Sequence, residues 1–333
     1  MTDARPGLGL PSGIGLGIGL DIGGTSTKAG IVQPDGTVVA SVSVPTIRGV
    51  DGVLAGAQAA AMEVVRAAGI SLIDVDAIGV GVPGSVDRSR GTVRHAVNLG
   101  IGQQAVELGD VLAAAFGVQV HVDNDVRAAA LGADWWVARE HGPVDDLAYL
   151  SVGTGIAAGY VDHGQVHRGG RMAAGEIGHL PIDPEGPECA CGQVGCLEAV
   201  ASGSAIARMW PAPDGPDAPS SERWPARALH DAARDGDQRA APLWSSVVAG
   251  LARAVLVLGL TWDPDIVIIS GGVAALGADL QAAIEAQLRE EARRADFLRS
   301  LDLAARVCVV EPTVPLGPIG AVRMARAASA AAR

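Results

Sequence analysis

Residues 21–32 read DIGGTSTKAGIV, and residues 151–164 read SVGTGIAAGYVDHG. Each stretch leaves an apolar strand, passes through a Gly-Thr loop and enters a second strand. The first copy turns at Asp35-Gly36 and the second at His163-Gly164. An Asp-Gly pair between two alternating runs is a strong hairpin signal. Similar segments at matching places in the two halves point to an internal duplication. Outward from this pair, residues 14–22 (IGLGIGLDI) alternate glycine with apolar residues, the pattern of a buried strand that other backbone approaches closely. Further strands are expected at 29–32, 37–44, 78–82, 118–122, 147–152, 156–161, 266–269 and 307–312. Helices are expected over 51–68, 103–116, 238–260 and 274–296, and from Pro318 onward. Asn124 reads as the cap of another helix, DVRAAALGADWW. Strands alternating with helices make an α/β protein, and two related lobes imply a cleft in which ligands sit.

Composition narrows the function. The 333 residues suffice for one large domain or two ordinary ones, and a 49% share of AVILMFWYC with 19% charged residues is that of a globular chain. A net charge of −12 argues against a nucleic-acid partner or an anionic membrane surface. Lys28 is the only lysine, so no basic tail exists. No run of 18 uninterrupted apolar residues suggests a membrane span, and the N-terminal MTDARPGLGLPSG lacks the apolar stretch of a secretory signal. A cytoplasmic protein is expected. The 45 glycines, roughly twice ordinary usage, cluster in short loops rather than repeating periodically. Residues 211–221 (PAPDGPDAPSS) read as a loop insert.

Three of the four cysteines fall within eight residues, in GHLPIDPEGPECACGQVGC. His179, Cys189, Cys191 and Cys196 make a Cys₃His set suited to tetrahedral zinc, whose softness favours thiolates and whose charge deprotonates them. Reduced structural thiols beside an unrelated histidine are the plain alternative, and the clustering disfavours it. With four protein ligands and no open position, the zinc should be structural.

Three glycine loops each follow an apolar strand: Gly23-Gly24-Thr25, Gly153-Thr154-Gly155 and Ser270-Gly271-Gly272. Backbone N–H groups in such loops can approach an anion, Thr25 and Thr154 add hydroxyls, and Lys28 adds the sole ammonium. One such loop is commonly just a turn; three suit a nucleotide's phosphates. Neither GxxxxGK[ST] nor a helix-opening GxGxxG occurs, so Walker A and dinucleotide sites are disfavoured. Acidic residues complete the pattern. Asp123-Asn124-Asp125 stands at a strand end and helix start, where helix capping alone would also explain it. Glu176 and Glu198 flank the metal ligands, where fixed carboxylates can select hydroxyls.

Together these segments resemble the ROK family of sugar kinases and repressors. The likeness spans DIGGTSTK at 21–28, the Pro83-Gly84 turn, Asn98-Leu99, DND at 123–125, SVGTG at 151–155 and GEIGH…CACGQVGCLE at 175–198. It implies a two-lobed actin-like (ribonuclease H-like) ATPase fold, with duplicated β-meander/α units and an interlobe cleft. On that reading residues 1–125 plus 318–333 form the small lobe, and 126–317 form the large lobe with the zinc loop. The implied activity is an ATP-dependent kinase acting on a hexose, glucose first, at the C6 hydroxyl. N-acetylmannosamine or N-acetylglucosamine is the alternative substrate, and polyphosphate the alternative donor. The family's catalytic base falls on Asp125, and its sugar contacts fall on Asn98, Asn124, Glu176, His179 and Glu198. Mg²⁺ would accompany ATP near Asp21, and a homodimer or homotetramer is expected. Two features depart from the family pattern: Ala133-Asp134 stands where a glutamate often follows AAALG, and the 211–221 insert has no family role. A sugar-responsive repressor is the rival reading, but it needs a DNA-binding helix-turn-helix ahead of the first phosphate loop. Only 20 Gly-rich residues precede Asp21.

Overall fold

In the computed structural model, which describes residues 15–211 and 224–331, glycine alternation in the opening strand sorts its two faces. On β1 (Leu16–Ile22), Ile18, Leu20 and Ile22 are fully buried on one face, and Gly17 and Gly19 lie on the other. β2 (Ser26–Val32) and β3 (Val38–Pro45) complete an antiparallel meander, joined by the expected turn at Asp35-Gly36. β2 begins three residues earlier than expected because the β1 ladder continues through Asp21↔Lys28 and Ile22↔Thr27. The chain continues through α1 (Val50–Ala68), β4 (Val75–Val82), the hairpin β5 (Ser85–Asp87) and β6 (Thr92–Arg94), α2 (Leu108–Phe116), β7 (Val120–Asn124) and α3 (Asp125–Glu140). α2 starts five residues later than expected: Val93 and Val106 exchange backbone hydrogen bonds, which hold the preceding segment extended.

The second half runs through β8 (Asp146–Val152), β9 (Ile156–Asp162), β10 (Gln165–Val166), α4 (Leu197–Ala201), α5 (Gly203–Met209), α6 (Pro225–Arg234) and α7 (Ala240–Trp262). It then passes through β11 (Ile266–Ser270), α8 (Ala278–Ala292), α9 (Asp296–Leu301), β12 (Val307–Val309) and α10 (Leu316–Ala331). The helix expected at 274–296 is divided, because Gly277 takes a left-handed φ of 59° between a short turn at 273–276 and α8. Residues 212–221 of the insert, and residues 1–14, lie outside the described residues.

Two units emerge: 1–143 with 164–173 and 315–333, and 144–163 with 174–314. The first has the sheet order β3-β2-β1-β4-β7, with α1 and α2 on one face and α3 and α10 on the other. In the second, β8 pairs antiparallel with β9 and parallel with β11, which pairs parallel with β12. That is the arrangement of β1 with β2, β4 and β7, so the duplication read from the sequence is borne out. The boundary expected at 125/126 falls inside the first unit instead. α3 packs along α10 rather than joining the second unit, and the glycine face explains the attachment. A Cβ on Gly19 would fall on the carbonyl of Pro318, and one on Gly320 would fall on the carbonyl of Ala128. Gly320→Ala should therefore force α3 and α10 apart and cost about 3 kcal/mol or more, read from the urea midpoint. A midpoint within error of the wild type would refute this packing.

The second unit's core gathers Leu150, Val152, Leu251, Val255, Ile269 and Ile284. α7, with 23 residues, is long and apolar enough to cross a membrane by length and composition alone. Here it packs against α4, α6 and α8, and half of its apolar stretch is buried in that core.

Candidate active site

The register of the first sheet aligns the acidic candidates. Asp21 on β1 lies opposite Gly81 on β4, and Gly81 lies opposite Asp123 on β7. The three strands are parallel, so these residues share the carboxyl edge, where ligands of open α/β sheets bind. Val82 lies opposite Asn124 in the next row. Glycine at 81 brings this edge close, since a Cβ there would lie 3.2 Å from the Cα of Asp125 and from the Cβ of Ala128.

At the start of α3, the Asn124 side-chain oxygen accepts from the N–H groups of Val126 and Arg127, at 3.1 and 3.3 Å. Asn124 is thus the expected N-cap, and Asp125 follows it in the first helical turn. The sequence reading missed what lies behind this turn. Asp123 is fully buried and receives three arginines: Arg88 Nε at 3.0 Å, Arg127 Nη1 at 3.5 Å and Arg168 Nη2 at 3.0 Å. Asp123 also accepts the N–H of Asn124 at 2.8 Å. Burial and the like charges of Arg168 and Arg127 draw Arg88 below its ordinary pKa, with Asp123 opposing them. The i,i+4 spacing of Asp123 and Arg127 was a legible signal, whereas Arg88 and Arg168 are distant in sequence and were not.

The first glycine loop is tied down by Thr46, another residue the sequence did not flag. Its hydroxyl donates to the carbonyl of Gly23 at 2.7 Å, and its N–H donates to the carbonyl of Thr25 at 3.0 Å. Lys28 stands on β2 directly across from Asp21 rather than in the loop. Burial raises the Asp21 pKa and Lys28 opposes that shift. The backbone of Gly317, at the start of α10, closes over the same carboxylate, and a Cβ there would lie 2.5 Å from Oδ2. Gly24 faces Asn98, with the Cβ positions 3.2 Å apart, so the phosphate-loop candidate and one sugar-contact candidate are neighbours. Gly24→Val should lower ATP affinity at least tenfold by calorimetry while the fold survives, because the branched side chain fills this space. Unchanged affinity would remove the loop from nucleotide binding.

In the second unit, Gly153, Thr154 and Gly155 occupy the turn between β8 and β9. The carbonyls of Gly153 and Thr154 accept from the N–H groups of Gly203 and Ser204, at 2.8 and 3.4 Å. Gly203 and Ser204, at the start of α5, therefore belong to this loop's framework, which the sequence reading did not include. Gly271-Gly272 follows β11, strand neighbour of β8, so both loops leave the same sheet edge. Glu198 belongs to this edge too, because its Oε2 accepts the N–H of Ile156 at 2.9 Å.

Glycines also set the GEIGH segment. A Cβ on Gly175 would strike the carbonyl of Ala158, and one on Gly178 would strike that of Ile156. These contacts press the segment onto β9 and leave Glu176 exposed, with His179 half-buried. The ligand atoms of His179, Cys189, Cys191 and Cys196 all lie within 4.8 Å of one another. Cys191 Sγ and Cys196 Sγ are 3.7 Å apart, and Cys189 Sγ is 3.7 Å from His179 Nδ1. A tetrahedron with zinc–sulfur bonds of about 2.3 Å has sulfur–sulfur edges of about 3.8 Å. Cys189, Cys191 and Cys196 form no disulfide, which would need sulfurs about 2 Å apart. The Gln193 amide draws the Cys191 thiol down to about 6, while burial pushes Cys196 up to about 12. A divalent cation among them would let all three sulfurs be thiolates. The residues present fit a zinc ion.

A model of the ROK family matches residues 17–307. The glucokinase of Thermotoga maritima is 37% identical over 78% of this chain and 83% of its own length. The crystal structure of a ROK hexokinase from Thermus thermophilus matches with a TM-score of 0.71 and 31% identity, over 95% of this chain and 99% of its own. A ROK family glucokinase from Streptomyces griseus, solved in complex with glucose and AMPPNP, matches with a TM-score of 0.75 and 28% identity. That match covers 94% of this chain and 100% of the other.

Proposed function

The chain belongs to the ROK family, and from that premise we propose that it is an ATP-dependent hexose kinase acting on glucose at the C6 hydroxyl. The observation that carries the reading is Asp125 in the first turn of α3, directly after the Asn124 cap at the carboxyl edge of the first sheet. Asp125 is the general base: it takes the C6 hydroxyl proton as the oxygen attacks the γ-phosphorus of ATP, and the bond to ADP breaks. Asn98, Asn124, Glu176, His179 and Glu198 bind the sugar hydroxyls in this reading. The loops at Gly23-Gly24-Thr25, Gly153-Thr154-Gly155 and Gly271-Gly272 bind the nucleotide phosphates together with Lys28. Mg²⁺, when bound with the phosphates near Asp21, neutralises their charge.

His179, Cys189, Cys191 and Cys196 would hold zinc in a structural role, since four protein ligands leave no open position. His179 would hold the ion through one ring nitrogen, and the other would be left for a sugar hydroxyl. In this reading the chain is cytoplasmic, which its reduced thiols and ATP substrate support, and it assembles as a homodimer or homotetramer.

The test is ADP release coupled to a reporter across a hexose panel. Glucose should give the highest kcat/KM. Turnover confined to N-acetylmannosamine or N-acetylglucosamine would move the substrate assignment, and no ADP release with any sugar would overturn the kinase reading.

A further inference from the structure

The first unit contains a cavity of about 370 Å³ that none of the residues assigned above lines. The β5–β6 hairpin and the residue after it contribute Ser85, Asp87, Arg94 and His95 to its lining, and Arg171 and Met172 complete it; the pocket is open to solvent. Ser85 and Arg94 are paired across the hairpin, which fixes one side of the cavity. A volume of this size is in the range of small-molecule sites.

Its charge is the informative feature. In a chain of net charge −12, two arginines and a histidine converge here. Among the described residues neither Arg94 nor Arg171 has a carboxylate within ion-pair distance. Of the other arginines near by, Arg88, Arg127 and Arg168 are engaged by Asp123. Arginine presents a planar fork that matches phosphoryl oxygens, and charge-assisted hydrogen bonds of this kind are the strong ones. Asp87, on the same wall, is held below the ordinary carboxylate range by the Ser89 hydroxyl and therefore stays an acceptor. An acceptor beside a cationic pair suits a ligand with both hydroxyl and phosphate groups better than a bare phosphate chain, which Asp87 would repel.

The backbone at the cavity is held in place as well. His95 and Met172 both have left-handed φ, at 55° and 58°, a conformation that costs energy outside glycine and gathers at ligand sites. The N–H of His95 donates to the carbonyl of Gly102 at 2.7 Å. Arg127 Nη2 donates to the carbonyl of Met172 at 2.5 Å, and Arg127 is itself buried and fixed by Asp123.

We propose that this cavity is a second ligand site, for a hexose phosphate, with the phosphate on Arg94, His95 and Arg171 and a sugar hydroxyl on Asp87. The identity of the ligand as the reaction's own class of product rests on the kinase reading; the site itself rests on the cavity. The test is equilibrium dialysis of labelled glucose 6-phosphate against the full chain, with saturating glucose occupying the substrate site. About one equivalent should remain bound. The double variant Arg94→Ala, Arg171→Ala should bind at least tenfold more weakly, with glucose turnover within twofold of wild type. Both side chains are exposed, so the fold should survive, which a thermal melt checks. No binding in the presence of glucose, or equal binding by the double variant, would overturn the site. Displacement by tripolyphosphate or inorganic phosphate at equal affinity would overturn the hexose phosphate as its ligand. ADP release from the same preparation separates the two claims. Binding without turnover removes the kinase reading and keeps the site, whereas turnover without binding removes the site alone.

Discussion

Asp125→Asn should keep glucose affinity within a few-fold and lose about 10²-fold or more in kcat. The substitution preserves shape and hydrogen-bonding capacity but removes the group that accepts the hydroxyl proton, and general base catalysis is worth about that much. The scaffold should tolerate it. Asn124 supplies the helix cap, and the buried Asp123 with its arginines holds the strand end, so neither depends on a charge at 125. A loss in kcat with little change in KM marks an interaction made chiefly in the transition state. Steady-state kinetics with glucose and ATP, beside glucose titration by calorimetry, give the split. A variant that retained most of its turnover would leave Asp125 as an ordinary first-turn acid, favoured there by the helix dipole alone.

What the sequence disclosed and what it withheld follow from the range of the interactions. The meander, the Gly-Thr loops and the Asn124 cap were legible because each is written in adjacent residues. Alternation along β1 even gave the reason for its glycines, although not the partner helix, since Pro318 and Val322 are remote in the chain. The same distance hid the α3–α10 packing, and with it the correct place of α3 in the first unit. The Asp123 cluster draws Arg88 and Arg168 from 35 and 45 residues away, from the segments after β5 and β10, a pairing that only the tertiary fold brings about. Thr46 was silent for the same reason. The two misjudged helices failed on local competition: a Val93–Val106 ladder shortened one, and a left-handed glycine divided the other. The Cys₃His cluster was legible from spacing alone, because its four members lie in one short stretch of chain.

Those ligands supply the second large effect. Protein purified without added metal should carry one zinc per chain by elemental analysis, and Cys191→Ser should carry almost none. Of the three thiols Cys191 is the exposed one, so its replacement leaves the packing of Cys189 and Cys196 intact and removes chiefly a ligand. Glucose affinity should fall by about tenfold or more, the scale seen when a metal site's supporting contacts are removed. The reason is continuity of structure. Gln193 donates to the carbonyl of His179 at 3.1 Å, Leu197 donates to the carbonyl of Leu180 at 2.9 Å, and Pro181 bridges to Cys196. The loop that carries the four candidate ligands therefore ties down the His179 backbone and delivers the chain to Glu198. ATP affinity should persist, because the Gly153 loop is held by Gly203 and Ser204 rather than by the metal loop. The core should persist too, since Leu251, Val255 and Ile269 lie in a separate cluster from Cys189 and Cys196. Zinc-free wild type with full activity would sink the metal assignment. A Cys191→Ser protein that lost zinc yet bound glucose normally would keep the metal and detach it from sugar recognition, leaving Glu176 and Glu198 to be positioned by β9 alone.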